Sequence, residues 1–112
     1  MSHELIVFVT VPGSEDASRI AESLVAERLA GCVNVIPGIE STYRWDGEIT
    51  RDTELLLIIK TTDERYGELE RRVKELHSYS TPEVIAFRIR RGSEDYLKWL
   101  RESTTPDQDV AP

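Results

Sequence analysis

The chain has 112 residues, a formal net charge of −7, and 39% hydrophobic and 31% charged residues. That length supports one domain with a modest core, and the balance is that of a globular chain rather than a disordered one. The acidity argues against nucleic acid and anionic membrane surfaces, both of which select basic groups, so neither is expected as a partner.

The first strand is predicted over Leu5 to Val11, a branched, apolar run too short to span a membrane. No basic leader or cleavage pattern accompanies it, and Cys32 is the single cysteine, so a cytoplasmic protein is expected. Pro12-Gly13 ends the strand. Ser14 is a predicted N-cap, Ala17, Ile20, Ala21, Leu24 and Val25 follow helical spacing, and Gly31 is a predicted C-terminal stop.

Two long strand-like runs follow, Val33 to Trp45 and Glu48 to Lys60, joined at Asp46-Gly47. An Asp-Gly pair between alternating runs predicts a two-residue type I′ turn. Pro37-Gly38 interrupts the first run and predicts a bulge or bend, because proline cannot donate to a ladder. Each run can reach about 43 Å at ~3.3 Å per residue. A compact domain of this length is roughly 34 Å across. Part of the hairpin must therefore bend or project, offering its edges to another chain.

Thr61 and Glu64 have capping-box spacing, and Tyr66, Leu69, Val73 and Leu76 give a second helical stripe. A polar connection, residues 77–82, leads to a fourth strand over Glu83 to Arg90. Gly92-Ser93 then caps a short last helix carrying Tyr96, Leu97 and Leu100. The domain is expected over residues 4–103, with 104–112 a mobile C-terminal tail.

The order is βαββαβ plus a short C-terminal helix: an α+β, ferredoxin-like split βαβ fold with a long hairpin between its second and third strands. Helices cover one sheet face in such a fold. Here Leu5, Val7, Val9 and Val11 alternate with Ile6 and Phe8, and Leu55, Leu57 and Ile59 alternate with Leu56 and Ile58, so both faces are apolar. Other subunits are expected to cover the second face, and one of Leu57 and Ile58 must point into that interface.

Chemistry candidates are few. His77, at a helix end, is either a copper or zinc ligand, with Tyr79 and Glu83 as companions from the same loop, or a histidine facing the helix dipole. Tyr43, Arg44 and Trp45 flank the hairpin turn and line either a ligand cleft or a subunit contact. Cys32 reads as a small apolar residue or a thiol near Arg28, and Arg88, Arg90 and Arg91 as a solvated strand end or an anion site. The sequence contains no glycine-rich phosphate loop, no CxxC and no evident nucleophile-base pair, and its first and third strands carry too few aromatic residues for an RNA-recognition module.

The segments GCVNVIPGIESTYRWDGEI, ELLLIIKT, YSTPEVIA and YLKWL, in that order and spacing over Leu5 to Glu102, closely resemble the CutA family, the divalent-cation tolerance proteins. The resemblance implies a ferredoxin-like homotrimer whose hairpins pair across subunits. It also implies a cytosolic, non-enzymatic role in tolerance of divalent metals, copper especially. No cofactor is required, though Cu2+ or another divalent cation is expected to bind weakly. Some members have a cysteine on the first strand and adjacent histidines after the second helix as proposed ligands. Here the first strand has no thiol, and only His77 of that set remains. The alternative is a trimeric signalling or adaptor module that takes a small ligand or partner protein in clefts between subunits, lined by Tyr43, Arg44, Trp45 and Tyr79.

Overall fold

A computed structural model describes residues 3–106. In chain order the elements are β1 (Glu4–Val11), α1 (Ser14–Ala26), β2 (Cys32–Trp45), β3 (Glu48–Thr62), α2 (Asp63–Leu76), β4 (Val84–Arg88) and α3 (Glu94–Ser103). The strands form one antiparallel sheet in the order β2-β3-β1-β4, with both branched central strands, β1 and β3, protected from the edges. The α+β, ferredoxin-like architecture expected from the element order is thus present.

Register decides which apolar residues face the helices. Val7 pairs with Ile59 and Val9 with Leu57, and all four are fully buried. They pack with Ile20 and Leu24 of α1 and Leu69 and Val73 of α2 in a single core. One residue along, the parity reverses. Phe8 pairs with Ile58 and Ile85, while Ile6 pairs with Phe87, and these side chains share the second face. Ile36, Ile85 and Phe87 stay 43 to 52% exposed. Phe8 and Phe87 meet edge to face, with ring centroids 5.1 Å apart. Of the two residues left open by the sequence, Leu57 is the core residue and Ile58 belongs to the second face.

The β2–β3 hairpin forms a long arm, and the molecule extends 53 × 35 × 22 Å. Asp46 and Gly47 turn its tip with φ of 53° and 79°, both left-handed as a type I′ turn requires. The predicted bulge lies between Ile36 and Ile39, with Gly38 at φ 75°.

The helix ends differ from expectation. Gly13 is the N-cap of α1 and Ser14 its first helical residue. The helix closes at Ala26, and Arg28, at φ 59°, makes the chain reversal assigned to Gly31. Gly31 instead gives Leu100 room: a Cβ there would lie 2.7 Å from Leu100 Cδ1. Thr61 does not enter a capping box. Its hydroxyl donates to the Leu29 carbonyl at 2.6 Å, and Thr62 is the N-cap of α2 without a side-chain bond. Ser93 does cap α3, accepting from the Tyr96 N–H at 3.4 Å. Thr104, the first residue of the expected tail, is buried and donates to the Leu100 carbonyl at 2.8 Å. Residues 107–112, most of that tail, lie outside the described residues.

Candidate functional site

A cleft of about 710 Å³ opens between the end of β1, the length of the arm from Glu54 out to Trp45, and the loop after α2. It is lined by Thr10, by Ser41, Thr42, Tyr43 and Trp45 of β2, by Glu54 of β3, and by loop residues from Ser78 to Glu83. Tyr43 and Trp45 share one side of β2, and Arg44 between them points to the other. Arg44 is absent from the lining, so of the three residues expected in a ligand cleft or a subunit contact the cleft takes Tyr43 and Trp45.

The loop is anchored from beneath. Asp16, in the first turn of α1, accepts from the Ser78 N–H at 3.1 Å and the Ser78 hydroxyl at 2.7 Å, and from Arg19 Nη2 at 2.6 Å. Arg19 also donates to the Leu76 carbonyl at 3.1 Å, tying α1 to the end of α2. Burial of Asp16 works against its charge. The two Ser78 bonds and Arg19 outweigh burial and hold the carboxyl below the usual aspartate range.

His77 is buried under this loop and does not line the cleft. Its Nδ1 accepts from the Tyr79 N–H at 3.0 Å. Its Nε2 lies 2.7 Å from the Thr10 carbonyl and, with Nδ1 accepting, is the donor of that pair. The ladder between β1 and β4 stops at Val9, so the imidazole takes the carbonyl just beyond it. Both ring nitrogens are occupied, and His77 presents no lone pair to a metal in this arrangement. Of the expected ligand pair, Glu83 is exposed on the cleft while His77 lies buried outside its lining. Among the described residues, no group of three or more His, Cys, Asp or Glu side chains is placed to hold a metal ion.

Tyr79 and Glu54 form the chemical centre of the cleft. The Tyr79 hydroxyl donates to Glu54 Oε2 at 2.9 Å. Burial first, and the Glu54 carboxylate second, push the Tyr79 phenol far above its ordinary value, so it remains a donor. Tyr43 similarly donates to Asp52, and that bond raises its phenol. Glu54 is 5% exposed and Tyr79 half-buried, against 57% exposure for Trp45. Sequence reasoning missed Glu54. It is one of 21 acids, and its place at the foot of the arm beside an otherwise apolar run, Leu55 to Ile59, was the available signal.

The fold and cleft define a class: a ferredoxin-like α+β domain with a projecting arm, a partly exposed apolar sheet face, and an acidic, aromatic cleft beside the arm. The family follows from comparison with known proteins. A model of the CutA1 divalent ion tolerance protein family matches residues 5–103, and the chain belongs to that family. It is 52% identical over 101 residues to the divalent-cation tolerance protein CutA of Thermus thermophilus, covering 90% of this chain and 98% of that protein. The solved Thermus structure superposes with a TM-score of 0.89 over 91% of this chain and 99% of that one. A rice relative, the chloroplastic protein CutA 1, is 49% identical over 89% of this chain, which spans 56% of its length. The solved Archaeoglobus fulgidus protein, described as a periplasmic divalent cation tolerance protein, is 39% identical with a TM-score of 0.88, covering 91% of this chain and 99% of that one.

Proposed function

We propose that this chain is a homotrimeric, non-enzymatic divalent-cation tolerance protein whose cleft holds a cation weakly. The observation that carries the reading is the convergence of two carboxylates, buried Glu54 and exposed Glu83, on one cleft with no Lys, Arg or His among its lining residues. Oxygen donors of this kind suit hard ions such as Mn2+ or Mg2+. Copper prefers imidazole and reaches His77 only by breaking its two hydrogen bonds, at a cost of roughly 1–3 kcal/mol. That cost is the physical reason for weak copper binding.

The absence of catalysis is supported by the state of the cleft's polar groups. Ser78 donates to a carboxyl held low, which is a poor general base, and both phenols are held protonated. Trimerisation is supported by the exposed apolar residues Ile36, Ile85 and Phe87 and by the projecting arm. We place the protein in the cytosol on its lone free thiol and acidic composition. The direct test is calorimetric titration with Mn2+ and Cu2+. Weak heats that survive His77→Ala and vanish in Glu83→Gln support the reading; unchanged heats in Glu83→Gln remove the cleft from it.

A second reading is favoured by size. A cleft of about 710 Å³ is far larger than an ion needs and lies within the ~300–1,000 Å³ typical of small-molecule sites. A signalling or adaptor trimer with a small ligand in this cleft uses its aromatic walls, which a bare ion leaves idle.

A further inference from the structure

Among the described residues, the buried Glu54 carboxylate has no counter-charge. It is 5% exposed, its hydrogen-bond partner is the Tyr79 hydroxyl at 2.9 Å, and no Arg, Lys or His among the described residues lies within ion-pair distance of it. A buried carboxyl with one hydrogen-bond partner and an open cleft beside it has acceptor capacity left for a cationic group. The cleft it lines carries a second carboxylate, Glu83, and no basic side chain, so phosphates and carboxylates are disfavoured there by sign alone. Its remaining distinctive feature is three aromatic rings, Tyr43, Trp45 and Tyr79. Rings beside carboxylates attract an organic cation: the π faces take the charge while the acid neutralises it. Seryl and threonyl hydroxyls on the other walls can meet polar substituents of the same ligand.

We propose that the cleft binds a small organic ammonium ion, with the cationic nitrogen beside the Glu54 carboxylate and the Tyr79 ring and the rest of the ligand lying along the arm toward Tyr43 and Trp45. The inference rests on the small-ligand reading of the cleft and is independent of any metal ion there. Trp45 reports occupancy because it is part of the wall, and Trp99→Phe leaves it as the sole tryptophan.

The experiment titrates the full chain carrying Trp99→Phe, in its native assembly, with three isosteres at matched ionic strength: choline, uncharged 3,3-dimethylbutan-1-ol and anionic 3,3-dimethylbutanoate. Choline should give a saturable Trp45 fluorescence change with a midpoint on the order of millimolar. In Glu54→Gln that midpoint should rise at least about tenfold, and the other two isosteres should give no saturable response. A saturable response to the alcohol or the acid but not to choline overturns the inference while leaving a small-ligand cleft in place. Silence from all three overturns both. An unchanged choline midpoint in Glu54→Gln overturns the assignment of the anchor. Should Glu54→Gln fail to fold by circular dichroism, Glu83→Gln carries the test, because its side chain is exposed. A midpoint raised about threefold supports the inference, and an unchanged one counts against it.

Discussion

Asp16 joins three segments through one carboxylate, and its effect depends on pH in a calculable direction. The folded carboxyl is held below its ordinary value of 3.8. Its contribution to stability is therefore full above that pH and is lost as pH falls through the depressed value. The gap in urea stability between the wild type and Asp16→Asn should be widest near neutrality and close below about pH 4. A gap independent of pH contradicts the charge argument. His77 acts as a strut: His77→Ala removes two hydrogen bonds and should cost about 1–3 kcal/mol by thermal melting, while leaving Mn2+ heats unchanged. Tyr43, Trp45, Tyr79 and Glu83 line one cleft, and aromatic rings beside a turn and a polar loop are local signals that single them out in the sequence. Glu54 and the true role of His77 were not legible there. Each depends on a partner 25 and 67 residues away, respectively, which the fold alone brings near.

At the scale of elements, the arm and the helices obey different rules. Gly38 stands at φ 75° with open space around its Cα, so Gly38→Ala meets no steric neighbour and should be destabilising by about 1–2 kcal/mol through backbone strain alone. Gly67, on the exposed face of α2, also has open space. There Gly67→Ala should stabilise by ~0.5–1 kcal/mol, because alanine loses less backbone entropy in a helix. Paired thermal melts check the opposite signs. Element type and order were readable throughout, since a period of two or of 3.6 survives over long runs. The ends were not. The reversal at Arg28 uses a residue that rarely adopts positive φ, and the Thr61 hydroxyl was claimed by the Leu29 carbonyl rather than by its own helix.

For the whole molecule, the Cα radius of gyration is 15.2 Å, against roughly 13 Å for a compact chain of this length. The excess reflects an arm that leaves the body, as strand length alone foretold. The same sheet that seals Leu57 against α1 and α2 leaves Ile58, Ile85 and Phe87 on a face that no part of the described chain buries completely. A second copy burying that face stabilises the fold by mass action, so stability should rise with protein concentration. The paired substitutions Leu57→Asp and Ile58→Asp separate core from interface. The first should unfold the chain, and the second should release folded or marginal monomers. Assembly is therefore the property to measure, and light scattering coupled to size exclusion at micromolar concentration does so directly. The prediction is a wild-type mass three times that of the chain, lost in Ile58→Asp. A well-behaved wild-type monomer, or an intact Ile58→Asp trimer, would contradict it.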